Sequence, residues 1–527
     1  MRWGVTTCLL ALLAFGRAGT AQTDGPAPVP GPTPGPGAAR TGRTPSASRL
    51  IDARAVCKRL GLVPEYEGVA GVEAIKVAVL DYGFEGIESG RPYLPGDAVV
   101  VEHYDPEFIR RFGLGDPEYR KPFEPGNSHG RVMAQIVWAV TGARPQGPKF
   151  FLLNANGPTM LRRAVRYAIE ERVDVVLFSG TFEGGGNGDG RGFINNIVAD
   201  ATAAGILWVN AAGNYGHRVF NGPVRLLPDA YLRLRPKPDV TALRFRNRVD
   251  ENTVTVTLIW NDYRGEEDAG TGKDLDLFVE DWAGRRVGSG DKAQVRDAHA
   301  AGPDESRNPR ERVVLTNLPA NPDRADSCYR IRVRARSGHF TADDRIRILL
   351  TASRETFVAP GRDAPTDAVE FLDATGQEEL FPPADNPMVV TVGDNGPGSS
   401  VGPTADRRVK PDLVLEDSRA FFTDGQVSYG SSNAAAYFAG VVAVLKAAEP
   451  GLSTRHLLKL ASHGAAPMLP TEALGTAALT APEPRGRELI LEAARPVPAP
   501  LAARWLGLHT WQTPGRARLA RIVRDDR

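Results

Sequence analysis

Four polar residues, Asp81, His129, Asn214 and Ser432, each stand at a strand–helix junction, Asp81 and Asn214 where an apolar run closes and His129 and Ser432 where a helix-like stretch opens. A serine hydroxyl is a weak nucleophile near neutral pH unless a base takes its proton. Histidine is the side chain whose pKa suits that work. An imidazole acting this way needs a carboxylate to fix its tautomer and to stabilise the imidazolium. A carbonyl oxygen under attack needs donors, which an asparagine amide and a backbone N–H at a helix start can supply. Taken singly, these residues have plain structural explanations. Asp81 in Asp81-Tyr82-Gly83 and Asn214 in Asn210-Ala211-Ala212-Gly213-Asn214 fit turns and caps. His129, in Asn127-Ser128-His129-Gly130, sits where a helix dipole disfavours its cation. The small residues of Gly430-Ser431-Ser432-Asn433-Ala434-Ala435-Ala436 fit close helix packing. Together, however, they make up the parts of an acyl-transfer site with Ser432 as nucleophile, His129 as base, Asp81 as its orienter and Asn214 as oxyanion donor.

Such groups must be carried on a scaffold that brings them together. Ile75–Leu80 is a short apolar run rich in β-branched residues, and 98–102, 149–153, 173–178, 206–209 and 388–392 read as further strands. Helical spacing occupies 132–140, 161–171, 194–204 and 434–448. Strands alternating with helices predict an α/β fold with a mostly parallel sheet flanked by helices on both faces. In such a sheet the chemistry gathers at the carboxyl ends of the strands, where all four residues are placed.

The motifs resemble those of the subtilisin-like serine peptidases, the subtilases. The order Asp81, His129, Asn214, Ser432 is the family's order. VAVLDYG is similar to its apolar strand ending in DxG, SHGRVMAQIV to HGTxVAxxxA, and GSSNAAAYFAG to GTSxAAPxxAG. Pro382-Pro383-Ala384, the stretch Val389–Gly393 and Val409-Lys410-Pro411-Asp412-Leu413 are also family-like. The likeness covers 70–216 and 380–465. It implies a subtilisin-like fold, peptide-bond hydrolysis, a polypeptide substrate and a substrate-side strand at Ser179-Gly180. That chemistry requires no cofactor. Four positions depart from the pattern: Arg131 replaces the usual Thr after HG, Ser431 the Thr before the nucleophile and Ala436 a Pro, while Ser179-Gly180-Thr181 stands for SLG. None removes a reacting group, but a bulky Arg131 beside the histidine is expected to alter access to the cleft. The departures also keep open an impaired, partner-binding member of the fold. An esterase of the α/β-hydrolase type is set aside, because it needs GxSxG and the order Ser, Asp, His. Ser462-His463-Gly464 repeats the SHG tripeptide but follows Ser432, at the end of a helical stretch.

Between Asn214 and Ser432 lie 217 residues, more than one crossover requires. Here the period changes to two, in 253–260, 274–280, 312–315, 329–333 and 346–350, predicting an inserted all-β sandwich. Asp274-Leu275-Asp276-Leu277 with Asp281 and Gly284 resembles the jelly-roll modules that accompany secreted subtilases. Asp274 and Asp276 are candidates for a structural calcium, or else solvated residues of a strand face. Gly184–Gly190 fits no phosphate-binding pattern and reads as a flexible loop near the cleft.

The start of the chain reads as an address. Met1-Arg2, the apolar stretch Trp3–Phe15 and the small residues Ala18–Ala21 form a secretory signal pattern, too short to span a bilayer. The expected organisation is a signal peptide at 1–21, a Pro/Gly-rich linker at 22–49, and the peptidase domain in two parts, 50–216 and 358–480. The insert occupies 217–357, and a proline-interrupted, arginine-bearing tail 481–527. The protein is therefore expected to be exported (secreted, periplasmic or at the cell surface) with no integral membrane segment once the signal is removed. Only about 50 residues separate the expected cleavage point from Ile75, fewer than a long pro-segment needs. Lys and Arg number 64 against 63 Asp and Glu, a formal charge of +1, which leaves no electrostatic footprint for nucleic acid. Three cysteines, of which Cys57 and Cys328 would survive signal removal, exclude a disulfide-built scaffold, and no spacing suggests zinc. Oligomeric state has no signature in the sequence.

Overall fold

The computed structural model describes residues 71–90, 94–112, 122–142, 145–296, 304–324, 326–358, 365–415, 418–422, 427–458, 495–496 and 518–519. The signal pattern, the linker, Cys57 and His463 lie outside the described residues. Within them the chain forms two compact units, one built from residues of 71–181, 194–214 and 380–458, the other from 182–193 and 215–379.

In chain order the principal elements of the first part are β1 (Lys76–Asp81), β2 (Val99–Val101), α1 (His129–Val140), β3 (Lys149–Asn154), α2 (Pro158–Glu170), β4 (Val175–Phe178), α3 (Phe193–Ala203) and β5 (Leu207–Ala211). The strands of the two main sheets of the next part follow: β6 (Val219–Pro223), β7 (Ala242–Asn247), β8 (Asn252–Trp260), β9 (Asp274–Glu280), β10 (Arg286–Gly290), β11 (Arg310–Leu318), β12 (Tyr329–Ser337), β13 (Arg345–Ala352) and β14 (Val369–Phe371). The chain then returns with β15 (Val390–Asp394), β16 (Leu413–Leu415) and α4 (Ser431–Ala448).

The seven strands β2-β3-β1-β4-β5-β15-β16 lie side by side in that order, every neighbouring pair parallel. Their unbroken apolar runs follow from this arrangement, because a parallel strand is covered on both faces. β3 shows the covering residue by residue. Phe150 and Leu152 join a core with Met133, Ile136 and Val140 of α1 and Tyr437, Val441 and Val442 of α4. Phe151, pointing the other way, meets Tyr167 of α2 with ring centroids 6.1 Å apart. α1 and α4 approach so closely at Gly440 that a Cβ there would fall 2.6 Å from Val140 Cβ. The chain builds outward from β1 through β3 on one side and through β4 and β5 on the other. β1 is thus where the strand order reverses, and the crevice outside its carboxyl end is the natural place for a ligand.

The second unit is antiparallel throughout its two main sheets, ordered β10-β9-β12-β7-β14 and β11-β8-β13-β6. Alternation sends Val254, Val256, Leu258 and Trp260 of β8 and Ile331 and Val333 of β12 into one core shared by both sheets. β6, β7, β10 and β14 lie outside the sequence-predicted strands, because Val219–Pro223 and Val369–Phe371 are short and β7 and β10 carry arginines or glycines. The expected insert, 217–357, falls inside this unit. The loop at 184–190 belongs to it as well. Rather than swinging free, the loop is tied down by Asn187, whose Nδ2 donates to Tyr263 O at 3.1 Å and whose Oδ1 accepts from Tyr263 N at 2.9 Å. Cys328 is buried with a free thiol. No helix among the described residues is long and apolar enough to cross a membrane.

Candidate active site

Asp81 is the last residue of β1 and is 1% exposed. Its Oδ1 accepts the N–H of Tyr82 at 2.8 Å, and its Oδ2 lies 2.7 Å from His129 Nδ1. A carboxylate can only accept there, so Nδ1 carries the hydrogen and Nε2 keeps its lone pair. His129 opens α1, and its own N–H donates to Asn127 Oδ1 at 2.9 Å. The helix can start so near Asp81 only because the next residue is Gly130, where a Cβ would come within 2.6 Å of Asp81 Cβ and of the Phe84 ring. Burial works against the imidazolium. The Asp81 charge, the hydrogen bond that His129 donates to Asp81 and the Glu124 charge outweigh it, and the imidazole pKa ends above its usual 6.5.

Asn214 follows the end of β5 and faces the start of α4. Its Oδ1 accepts the backbone N–H of Ser431 at 3.2 Å and the Ser431 hydroxyl at 2.9 Å. Ser431 Oγ in turn accepts the Gly213 N–H at 3.1 Å. Two donors on the oxygen side dictate which end of the amide is which, and leave the Nδ2 hydrogens for another acceptor. Ser431, which departs from the usual Thr, keeps the hydroxyl that does this.

Ser432 is the second residue of α4. Its hydroxyl donates to Ser179 O at 3.2 Å, and the Ser179 hydroxyl donates to Ser432 O at 3.3 Å. The structure therefore joins Asp81 to His129, Asn214 to Ser431, and Ser432 to Ser179. No direct hydrogen bond joins Ser432 to His129. Gly180, beside Ser179 at the end of β4, has its carbonyl taken by Asn210 Nδ2 at 3.0 Å.

Three residues the sequence reading did not single out also belong here. Asn127 caps α1 from within the Asn-Ser-His-Gly run, which was the available signal. Asn210 is fully buried and also accepts the Trp208 Nε1 hydrogen at 3.1 Å. Glu124 had no sequence signal. Arg131 does not crowd the cleft as expected. It is 2% exposed and turns away, its Nε donating to Glu85 O at 2.9 Å and its Nη1 reaching Gln135 Oε1 at 3.4 Å.

Asp274 and Asp276 on β9 are not solvated strand-face residues, being 3% and 7% exposed. Gln294 covers them, its N–H 3.4 Å from Asp274 Oδ2 and its Nε2 donating to Glu311 Oε1 at 2.5 Å. Burial first, then the Asp276 charge, pushes the Asp274 carboxyl up to about 6, and burial pushes Glu311 up to about 7. Among the described residues no group of three or more His, Cys, Asp or Glu is arranged to hold a metal ion. Asp276 Oδ1 lies 3.8 Å from Arg336 Nη1, so that carboxylate already faces a cation.

The profile of the subtilase family matches residues 73–480. The chain belongs to that family. This subtilase is a serine-type peptidase, a hydrolase whose substrates are polypeptides. No curated protein matches the chain. Among solved structures it is similar to the CspB protease of Clostridium perfringens, with 16% identity and a TM-score of 0.46 over 79% of this chain and 92% of that one. It is also similar to MycP1 from the ESX-1 type VII secretion system, at 14% identity and a TM-score of 0.32 over 78% of this chain and 80% of that one.

Proposed function

We propose that this subtilase is an exported serine endopeptidase working through an acyl-enzyme. The polypeptide lies along Ser179-Gly180. Ser432 Oγ attacks the scissile carbonyl carbon while His129 Nε2 takes its proton. Asn214 Nδ2 and the Ser432 backbone N–H receive the charge that forms on the carbonyl oxygen. As the tetrahedral intermediate collapses, the C–N bond breaks and His129 passes the proton to the leaving amine. Water then attacks the acyl group with His129 again as base, and Ser432 leaves with its proton restored. Asp81 holds the imidazole in the required tautomer throughout. In this reading the hydroxyl turns from Ser179 O toward His129. Catalytic hydrogen bonds of this kind commonly close only once substrate is bound.

The observation that carries this reading is the buried 2.7 Å contact of Asp81 with His129 at the strand-order reversal. Export rests on the signal pattern at 1–21. The proposed domains are the linker 22–49, peptidase parts 50–216 and 358–480, a jelly-roll-like sandwich at 217–357 and the tail 481–527. A calcium ion beside Asp274 and Asp276 would have two protein carboxylates, fewer than the six to eight oxygens calcium takes, and would compete with Arg336 for Asp276, and no catalytic step needs it. The deciding experiment is labelling of the secreted protein with a fluorophosphonate probe and peptide mapping, with Ser432→Ala as control. Label on Ser432 and casein digestion lost in the variant are expected. A variant that digests casein like the wild type would refute the assignment.

The bond from Ser432 to Ser179 favours one second reading, a catalytically impaired member that holds a partner in its cleft. Its signature is an intact, folded chain that never takes the probe.

A further inference from the structure

Ahead of α1 the segment 122–128 is fastened to the exit of β1 by backbone bonds. Glu124 N donates to Tyr82 O at 2.8 Å, Glu85 N to Asn127 O at 2.8 Å and Gly130 N to Gly83 O at 3.0 Å. Inside that frame Asn127 is 2% exposed and bridges two functional groups. Its Nδ2 donates to Glu124 Oε2 at 3.1 Å, and its Oδ1 accepts the His129 N–H at 2.9 Å. The carboxylate of Glu124 thereby fixes which way the Asn127 amide faces. If the amide turned over, its NH₂ would meet the His129 N–H and its oxygen would meet a carboxylate, two repulsive contacts at once.

We propose that Glu124 is a positioning residue of this site, seating His129 through Asn127 and holding a second negative charge toward the imidazole. The proposal rests on the reading of His129 as the base. Two carboxylates bear on the ring, Asp81 from β1 and Glu124 from the segment before α1. Arg131, two residues along α1, is turned to Glu85 O and Gln135. Asp81 therefore fixes the tautomer by direct contact. Glu124 fixes the backbone from which the ring projects and adds its charge to the stabilisation of the imidazolium.

The test is a titration of the His129 imidazole in full-length protein with labelled histidine, followed by NMR in the Ser432→Ala background so that no autolysis intervenes. Glu124→Gln keeps shape and hydrogen bonding but removes the charge, and it should lower the imidazole pKa by about half a unit to one unit. Glu124→Asp should restore it to within roughly 0.3 unit, which a merely structural role would not do. An unchanged titration in Glu124→Gln overturns the electrostatic part. In the active enzyme, Asn127→Ala should cut kcat roughly tenfold with KM within about twofold, through loss of orientation. An unchanged kcat overturns the seating part. The acid limb of kcat/KM should move with the imidazole in Glu124→Gln. If the imidazole shifts and the rate profile does not, the coupling of Glu124 to His129 stands and the reading of His129 as base falls.

Discussion

Asn214 turns its side-chain oxygen to Ser431, taking the Ser431 hydroxyl at 2.9 Å and its backbone N–H at 3.2 Å, so the amide cannot rotate without losing both bonds. The residue before the proposed nucleophile thus aims the proposed oxyanion donor. Asn214→Ala should lower kcat by about 10²–10³, or roughly 2.7–4 kcal/mol of barrier, with little change in KM. Ser431→Ala should cost less, roughly 3–10-fold, because the amide is loosened rather than removed, while Ser431→Thr should keep most of the activity. Steady-state kinetics on a peptide substrate separate these cases, and an Asn214→Ala enzyme as fast as wild type would remove Asn214 from the mechanism.

Asp81 touches no substrate in the proposed chemistry, yet its loss should be severe. Asp81→Asn preserves the shape but offers an N–H to Nδ1, favouring the wrong tautomer and costing roughly 10⁴ in kcat. Ser432→Ala should cost about 10⁶. Fluorophosphonate labelling rates should fall in both variants, to nothing in the second.

The imidazole of His129 is held above its usual 6.5 by Asp81 and Glu124 against burial. In the proposed mechanism only the neutral ring accepts the Ser432 proton, so activity would require pH above the folded-state value. The acid limb of kcat/KM should therefore have its midpoint above 6.5 rather than below it. The matching stability term has the opposite sense. The raised pKa stabilises the fold fully below 6.5, and this contribution is lost as pH rises through the higher folded-state value. A pH–rate profile measures the first effect, and urea unfolding of Ser432→Ala across the same range measures the second.

Glu311 in the antiparallel unit is raised from 4.5 to about 7, chiefly by burial. Its folded-state pKa exceeds its unfolded one, so its stabilising protonation is complete below about pH 4.5 and is lost as pH climbs through about 7. Glu311→Gln should therefore resemble wild type at pH 4.5 and be more stable by about 1–3 kcal/mol at pH 8. Denaturant unfolding at the two pH values checks this, and equal effects at both would contradict it.

Removal of divalent metal is expected to leave the chemistry alone. Among the described residues no group of three or more His, Cys, Asp or Glu is arranged to hold a metal ion, and Asp276 faces Arg336. Dialysis against EDTA should change casein hydrolysis by less than about twofold, since no step of acyl transfer uses a metal ion. A tenfold loss restored by calcium would show that the unit around Asp274 and Asp276 depends on it.

Much of the parallel sheet was legible in the sequence. Val77–Leu80, Phe150–Leu153 and Val175–Phe178 are unbroken apolar runs, the signature of strands covered on both faces, and they lie within β1, β3 and β4. The strands β8, β9, β11, β12 and β13 were legible from apolar and polar residues alternating along them; in β11 and β12 burial alternates in step, whereas β8, β9 and β13 are buried almost throughout. β6, β7, β10 and β14 were not, because each is held mainly by its neighbours in the sheet rather than by its own pattern.

The candidate residue types and their order along the chain were legible in local sequence, since each needs only a strand end or a helix start to be recognisable. Which atoms meet was decided by folding. Asp81 reaches His129 because a parallel sheet reverses its strand order at β1 and Gly130 admits a backbone approach that no side chain would allow. The inward turn of Arg131, the burial of Asp274 and Asp276, and the tie from Glu124 through Asn127 to His129 likewise depend on which groups the fold sets opposite them. Side-chain direction and desolvation are properties of a neighbourhood, and that neighbourhood exists only once segments distant along the chain have packed together.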